Sequence, residues 1–251
     1  MTPDELVAAL DLPDGARVDR RVPKKLLLEN GAPTSADKRQ IAEGIEELRW
    51  IAALKPTTIG VAAYRDAARE TLEIAVLRLT LRAGAKASRL TALVHRAVPY
   101  LVLLVTLHEK NIYLSLANKR WSQGQAGKTV LDGEIVEANL AVVSDGLQDA
   151  FCGALPLTRQ PRATLYALYQ GWIDTVLSLH AASVTGTFAL PITAEHAARR
   201  REALGACREL ERQMIRLRSA ARKETQLSRK VEINMKVKGL ESDFADAKAR
   251  I

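Results

Sequence analysis

Apolar residues in the N-terminal part of the chain first recur at three- and four-residue intervals, the period of one face of an α-helix. These residues are Ile41, Ile45, Leu48 and Ala52. Ser35 can cap the start of such a helix, and Pro56 would end it. We therefore predict a helix over residues 35–54, and this helix would carry Glu47.

After this helix the apolar residues form short runs bounded by turn-forming residues, a pattern typical of β-strands. The runs cover residues 59–61, 72–81, 100–108, 111–117 and 129–143. Residues 86–98 return to helical spacing until Pro99, so a helix is predicted between two of the strands. The pattern indicates an α+β fold in which residues 1–143 form a mixed β-sheet domain with packed helices.

The strand pattern then ends, and the rest of the sequence has helical spacing. Ser144 can cap one helix and Pro161 opens another, which together form a predicted helical bridge over residues 144–190. From Thr193 we predict one uninterrupted helix of about 46 residues, which would be about 70 Å long. Residues 191–251 are therefore predicted to form a long, basic, coiled-coil-like helix.

One face of this C-terminal helix alternates three- and four-residue spacing, as a coiled coil requires. Its apolar members, which we assign as a seam for a partner helix, are Leu210, Met214, Leu217, Val231 and Met235. Glu224 and Ser228 interrupt the seam with polar groups. Further along, the apolar positions shift to a second set made of Ile233, Val237, Leu240, Phe244 and Ala247. The shift favours an antiparallel helix pair, or a helix docked on a partner, over a long dimeric zipper.

The net charge of +8 is concentrated in the last quarter of the chain, where residues 190–251 hold 15 Lys or Arg and nine Asp or Glu. The basic residues that we assign to nucleic-acid or acidic-partner binding are Arg201, Arg208, Arg212, Arg216, Arg218, Arg222 and Lys223. Three of them, Arg208, Arg212 and Arg216, lie on one helical stripe. Such a stripe fits the phosphates of a DNA backbone without sequence preference, and it equally fits an acidic protein surface.

Composition argues against several other classes of protein. Aromatic residues make up 4% of the chain, too few for the base-stacking platforms of single-strand binders. Cys152 and Cys207 are far apart and lack the spacing of metal ligands, so no metal or other cofactor is expected. No secretory signal and no apolar stretch of about 20 residues is present, so we expect a cytoplasmic protein without membrane contact.

The order of predicted elements suggests one enzymatic alternative. A helix, strands, a helix and a strand in this order are similar to the core of PD-(D/E)xK nucleases, in which acidic groups hold Mg²⁺ and a lysine activates water. Glu47 and Glu73 would be the acidic groups, and Lys119 would replace the lysine, because Ala75 occupies its expected position. Under this alternative alone the protein would need Mg²⁺.

A second possible motif lies in residues 122–129, which read SQGQAGKT. This segment is one glycine short of the phosphate-binding loop GxxxxGK[ST], because Ser122 stands at the first glycine position. The following residues have the pattern of a strand or turn, whereas the motif requires a helix. We therefore predict a hairpin loop without nucleotide binding.

Several short segments resemble the bacterial domain-of-unknown-function family 4391 over nearly the whole chain. They are residues 22–26 (VPKKL), 45–50 (IEELRW), 54–59 (LKPTTI), 73–74 (EI), 94–100 (VHRAVPY) and 224–234 (ETQLSRKVEIN). The resemblance implies a genetic setting beside a superfamily 2 helicase and a DNA methyltransferase, in restriction-like or phage-defence loci. It assigns no catalytic residue.

These observations together favour a non-catalytic adaptor subunit in a DNA-targeting bacterial defence complex. The C-terminal helix would bind a helicase or methyltransferase partner, while its arginines contact DNA or an acidic surface. The alternatives are a degenerate Mg²⁺-dependent nuclease and a structural homo-oligomer held together by the C-terminal helix.

Overall fold

The computed structural model describes residues 1–125 and 127–251, and the chain divides into two compact units. The first unit comprises Met1–Val176 and the second comprises Leu177–Ile251. The boundary lies inside a helix. The helical segment that precedes this boundary therefore belongs to the same compact unit as the β-sheet.

The first unit combines the sheet with a series of mostly short helices. Its helices are α1 (Pro3–Ala8), α2 (Lys24–Asn30), α3 (Ser35–Gly44), α4 (Pro56–Ile59), α5 (Ala87–Ala97), α6 (Asp145–Ala154) and the first part of α7 (Leu165–Thr185). Its strands are β1 (Arg17–Arg21), β2 (Ile45–Leu54), β3 (Tyr64–Arg65), β4 (Glu70–Thr71), β5 (Ile74–Leu81), β6 (Leu101–His108), β7 (Asn111–Leu116), β8 (Lys119–Trp121), β9 (Thr129–Leu131) and β10 (Val136–Asn139). The second unit holds the end of α7 with α8 (Ala194–Lys223) and α9 (Leu227–Lys248).

The main sheet has the strand order β1-β2-β5-β6-β7-β10. Its neighbouring strands are antiparallel except β5 and β6, which run parallel. A parallel pair needs a long crossover connection, and α5 lies in the segment that joins the end of β5 to the start of β6. Two small ribbons, β3-β4 and β8-β9, accompany the main sheet. The predicted α+β class, a mixed sheet with packed helices, is confirmed.

One face of the sheet forms an apolar core with α2, α3 and α5. Leu48 of β2, Leu79 of β5 and Leu104 of β6 are almost completely buried in it, together with Leu90 and Leu93 of α5. The long apolar runs predicted for β5 and β6 follow from this position, because a central strand is covered on both faces and needs no polar alternation.

The first part of α7 is fixed to the sheet by a buried tyrosine. The Tyr169 hydroxyl donates to the Val102 carbonyl at 2.7 Å and accepts from the Ala117 N–H at 2.8 Å. Trp172, one turn further along, is also fully buried and donates its indole N–H to the Leu155 carbonyl at 2.9 Å. These bonds satisfy the polar atoms of two large side chains that are otherwise buried for their apolar area.

The predicted helix over residues 35–54 is wrong in its second half. The helix α3 ends at Gly44, and residues 45–54 form the strand β2. The register of β2 on β5 shifts twice, and each β-bulge adds one residue to the strand. Residues on one face of a strand are usually two positions apart. The first bulge makes this spacing three between Ile45 and Leu48, which is also a helical spacing. Both residues pack into the same core.

The strand predicted over residues 59–61 is also wrong. Residues 56–59 form α4, which ends at Gly60 in the left-handed conformation with a φ of +65°. The edge strand β1 was not predicted, because its sequence RVDRR is polar and four of its five residues are exposed. The strand β1 lies at the edge of the sheet and is held by backbone pairing with β2, which requires no apolar pattern.

The single long helix predicted from Thr193 is divided in two. The first part, α8, ends at Lys223, and Glu224 has an extended backbone with a φ of −75° and a ψ of 130°. The Glu224 carboxylate accepts the N–H groups of Thr225 at 2.8 Å and Gln226 at 2.9 Å. A polar side chain that binds nearby backbone N–H groups competes with the hydrogen bonds of a helix. The Glu224 carboxylate binds such groups at the turn between α8 and α9.

The two C-terminal helices form an antiparallel pair, one of the two alternatives that the sequence left open. Arg218 of α8 contacts Glu241 of α9 at 2.8 Å. At the opposite end, His196 near the start of α8 and Ala249 just after α9 line one cavity. We call this pair the hairpin.

Candidate interface for a partner or nucleic acid

Positive charge is concentrated at the end of the hairpin where the chain turns. Residues 212–238, which we call the hairpin tip, comprise the last 12 residues of α8, the three-residue turn and the first 12 residues of α9. The tip holds nine Lys or Arg and two Glu, whereas the remainder of residues 177–251 holds six basic and seven acidic residues. The excess charge of the second unit therefore belongs to its tip.

The tip brings together most of the basic residues that the sequence analysis selected. Five of them are exposed on the last turns of α8, namely Arg212, Arg216, Arg218, Arg222 and Lys223. Arg201 is exposed and Arg208 is half-buried, and both lie on α8 before the tip begins. Arg208, Arg212 and Arg216 share one helical stripe, but only the last two belong to the tip.

The acidic neighbours of the tip neutralise it only in part. Arg212 contacts Glu209 at 3.1 Å, and Arg218 contacts Glu241 at 2.8 Å. A hydrogen bond from Lys236 lowers the pKa of Glu232. These pairs are exposed to solvent and contribute little binding energy, so a ligand with several negative charges can compete for the same cations.

Four further basic residues of the tip were not predicted from the sequence. Arg229, Lys230, Lys236 and Lys238 lie on the first half of α9 and are exposed. On a single straight helix they would lie far from the arginines of α8. The turn at residues 224–226 instead folds them back toward those arginines, a long-range effect that charge counting along a helix does not reveal.

The predicted partner-helix seam is covered in its first part and exposed in its second part. Met214 is buried and Leu210 and Leu217 are half-buried on α8. The second apolar set forms the covered face of α9, where Val237 and Ala247 are buried. The first part of the predicted seam is therefore used for packing inside the hairpin.

The second part of the seam stays exposed. Val231 is 51% exposed and Met235 is 71% exposed, and Leu227, one turn before them on α9, is 77% exposed. We call these three residues, spaced four apart on one face of α9, the apolar strip. Because the strip lies within the basic tip, the same surface offers both apolar contact and positive charge.

The residues of the nuclease alternative are not brought together. Glu47 lies in β2 opposite Thr80, whereas Glu73 immediately precedes β5, whose first residue Ile74 lies opposite Leu54. The two glutamates are therefore at opposite ends of the strand pair, about 23 Å apart at 3.3 Å per residue. Each has a basic neighbour instead: Glu47 contacts Arg49 at 3.6 Å, and Glu73 contacts Lys55 at 3.2 Å.

The Lys119 side chain binds main-chain atoms at the C-terminus of α5. Its ammonium is buried and donates to the main-chain carbonyls of Val98 and Tyr100. Cations near the carbonyl end of a helix are stabilising, and here the lysine also satisfies carbonyls of the chain that leaves α5. Burial nevertheless lowers the pKa of Lys119 to about 7.

His95 accompanies Lys119 beside a cavity of about 370 Å³. The His95 Nε2 atom lies 3.0 Å from the Ser115 hydroxyl. Burial first, and the Lys119 charge second, lower the pKa of His95 to about 3, so the imidazole is neutral. The described lining of this cavity also includes Arg96 and no carboxylate, an environment that disfavours a divalent cation.

The phosphate-loop-like segment connects β8 to β9. One of its residues, Ala126, lies outside the described residues. The segment is followed by the strand that begins at Thr129, and a phosphate-binding loop needs a helix at that point. Among the residues that the structure describes, no group of three or more His, Cys, Asp or Glu side chains could hold a metal ion.

Residues 10–244 match the profile of the domain of unknown function DUF4391. The chain belongs to the DUF4391 family. The match begins just after α1 and runs through most of α9, so the hairpin tip with its apolar strip lies inside the family's domain. No curated protein matches the chain, and no solved structure matches it.

Within the described parts of this DUF4391 chain, no helix combines the length and apolarity that a membrane crossing requires. The cytoplasmic location expected from the sequence stays a prediction.

Proposed function

We propose that this protein is a non-catalytic accessory subunit of a DNA-targeting complex, and that its hairpin tip is the contact surface. The observation that carries the proposal is the coincidence of nine basic residues, two acidic residues and the exposed apolar strip within residues 212–238. Solvent-exposed apolar side chains in a row are typical of interaction surfaces.

The apolar strip supports the docking of a protein partner. Leu227, Val231 and Met235 follow the four-residue spacing by which helices meet helices or grooves. Methionine adapts to irregular surfaces, and the surrounding cations favour a partner with acidic residues. A helicase or a DNA methyltransferase is the partner that the family resemblance leads us to propose, in a restriction-like or phage-defence setting.

The arginines of the tip support direct contact with DNA. Arg212, Arg216 and Lys223 are exposed on α8, and arginine pairs well with phosphate oxygens. Binding of this kind is driven by release of counterions, so it is strongly salt-dependent and sequence-independent. The protein would then supply affinity and position, while the partner supplies the chemistry.

The decisive experiment is affinity purification of the tagged protein from a host that expresses its neighbouring genes. We expect a helicase or methyltransferase to copurify, and a variant with Leu227→Ser, Val231→Ser and Met235→Ser to lose it. The matched control replaces three exposed apolar residues outside the tip, Val142, Leu190 and Ile192, by serine. Copurification that survives the triple substitution would place the partner elsewhere and contradict docking on the strip.

The same purification separates a homo-oligomer from a hetero-complex. If the apolar strip pairs with a second copy of this chain, the purified protein has the mass of a dimer and the triple serine variant has the mass of a monomer. That result would replace the accessory-subunit proposal.

No observation favours the nuclease alternative over the accessory role. Its two glutamates lie at opposite ends of a strand pair, and Lys119 binds main-chain carbonyls. We therefore propose no metal and no other cofactor. Cleavage of plasmid DNA by the purified chain with Mg²⁺ or Mn²⁺, lost in a Glu73→Gln variant, would reverse this assignment.

A further inference from the structure

An apolar cavity of about 300 Å³ lies in the first unit, and its lining includes Val98 and Tyr100, whose carbonyls accept from Lys119. Its walls come from the sheet, from α2 and from the chain that follows α5. The apolar lining includes Leu27, Leu48, Trp50, Leu77 and Val98. Its volume reaches the lower end of the range for pockets that hold small ligands.

The polar side chains at this cavity are cationic or neutral. Arg20 and Arg21 line it and are exposed, and Asn30 and Tyr100 also contribute. Among the described lining residues there is no carboxylate. An apolar interior with an arginine at its edge suits a molecule with an apolar body and a negatively charged head.

A β-bulge in β1 lies just before the two arginines. Beyond it the pairing is regular, with Arg20 opposite Trp50 and Arg21 opposite Arg49. Neighbouring side chains of a strand point to opposite faces, so Arg20 shares the face of Trp50 and Arg21 lies on the other face. From Arg17 to Arg20 the strand β1 advances three residues, whereas its partner β2 advances two. One extra residue is therefore inserted in β1. Asp19, inside this bulge, has a left-handed φ of +45°.

The bulge is a strained feature of the backbone. A left-handed conformation at a residue other than glycine is uncommon and costs free energy, so it persists only where the surroundings hold it. Here Arg49 donates to the Asp19 carbonyl at 3.3 Å. The strained residue therefore directly precedes Arg20, the arginine on the face of Trp50.

The surroundings of the cavity mouth are positively charged as well. Burial, followed by the charges of Arg82 and Arg21, lowers the pKa of Lys24. Glu46 and Glu47 line a neighbouring cleft with Arg21 and Lys24, and Glu47 contacts Arg49 at 3.6 Å. These carboxylates lie outside the described lining of the apolar cavity.

We propose that this cavity binds a small anionic amphiphile, whose apolar body lies against Trp50 and Leu77 and whose carboxylate or phosphate head pairs with Arg20. This site is separate from the hairpin tip and does not depend on the accessory role.

The proposal is tested with octanoate that carries bromine on its terminal carbon. Bromine quenches tryptophan fluorescence at short range, and Trp50 lines the cavity. We expect saturable quenching in the full-length protein, its loss in a Trp50→Phe variant and its retention in a Trp121→Phe variant. Quenching that disappears with Trp121 and not with Trp50 would place the ligand elsewhere and overturn the site.

The role of Arg20 is tested by matched ligands and matched variants. Octanoate should bind more tightly than octylamine, which has the same chain and the opposite charge. The variant Arg20→Ala should weaken octanoate by about tenfold, the effect of one lost charge-assisted hydrogen bond. Arg17→Ala, on the same strand but outside the lining, should leave octanoate affinity unchanged.

A cavity-narrowing variant tests the apolar part of the proposal. Leu26 lines the cavity and is 48% exposed, so Leu26→Trp adds volume there without disturbing the buried core. We expect it to weaken octanoate, octylamine and octanol alike, while thermal unfolding stays the same. Equal binding of octanoate and octylamine, or no quenching by the brominated probe up to its solubility, would overturn the proposal.

Discussion

The two units of this protein use charge in opposite ways. The first unit is nearly balanced, with 22 basic and 20 acidic residues, whereas the second has 15 basic and nine acidic residues. In the first unit, charged side chains join elements of the fold. In the hairpin tip they are exposed and in excess. Charges that hold a fold together are already satisfied, so the excess at the tip is the part of the molecule that is available for binding.

The pair between Asp37 and Arg89 shows the first kind of use. Asp37 of α3 accepts two hydrogen bonds from the Arg89 guanidinium of α5, at 2.7 and 2.8 Å. Hydrogen bonds from Arg89 and Thr34 hold the pKa of Asp37 at about 2. This carboxylate is therefore ionised at neutral pH and fixes two helices on the same face of the sheet.

The largest expected effect compares a buried aromatic residue with an exposed apolar residue. Trp172→Ala should lower the free energy of unfolding by about 3–5 kcal/mol, because it removes a fully buried side chain. Met235→Ala, in the apolar strip, should change it by less than about 0.5 kcal/mol. Chemical denaturation of both variants measures the difference, and a strongly destabilised Met235→Ala would mean that the strip is part of a core.

The second expected effect is a dependence of stability on pH that Lys119 causes. Its pKa is about 7 in the folded protein and 10.5 in the unfolded chain. Between these two values the unfolded chain binds the extra proton, so stability should rise with pH across this window and lie at its lowest below pH 7. Denaturation at several pH values measures the rise.

The control for this prediction is the exposed Lys110. Lys119→Met should flatten the dependence of stability on pH above about pH 7, whereas Lys110→Met should leave it in place. A wild-type protein whose stability does not change between pH 7 and pH 10 would show that Lys119 keeps its ordinary pKa.

The third effect concerns the salt dependence of DNA binding. Each phosphate contact contributes about 0.9 to the slope of log affinity against log salt concentration on duplex DNA. We expect the magnitude of that slope to fall by about three in the triple variant Arg212→Ala, Arg216→Ala, Arg218→Ala. The control, Arg199→Ala, Lys248→Ala and Arg250→Ala, removes the same charge from residues of the hairpin outside the tip. Equal slopes for both triple variants would show that the tip has no special role.

The smallest effect concerns the turn of the hairpin. Glu224→Ala removes the carboxylate that accepts the N–H groups of Thr225 and Gln226. We expect a loss of about 0.5–2 kcal/mol in the stability of the second unit, as for loss of a helix cap. Hydrogen exchange of α9 amides reports this change locally, and unchanged exchange would show that apolar packing alone sets the turn.

Sequence reasoning works best for the central elements of the sheet. The apolar runs of β5 and β6 and the helix α5 between them were predicted, because a covered strand and a helix against it leave strong patterns over many residues. Reasoning from the sequence failed at β2, where bulges changed the spacing, and at β1, whose residues are polar. Bulges and edge pairing are set by the neighbouring strand, which local spacing does not contain.

The candidate interface was predicted in part. The basic residues of α8 were recognised, and Val231 and Met235 were placed on a partner-facing seam. The basic residues of α9 and Leu227 were not assigned to the interface, because their proximity to the arginines of α8 depends on where the chain turns. The position of the turn was not predicted, because no glycine or proline marks it and Glu224 and Ser228 were assigned only as polar interruptions of the seam.

The division between the two units also orders events during protein synthesis. The sheet unit is complete at residue 176, so on a ribosome it is made before any part of the basic tip. Its strands, whose pairing joins residues far apart in sequence, need time to find their register. The hairpin, whose contacts are local, can close soon after its turn emerges. The segment with the highest density of positive charge therefore emerges only when slow assembly of the sheet is already under way.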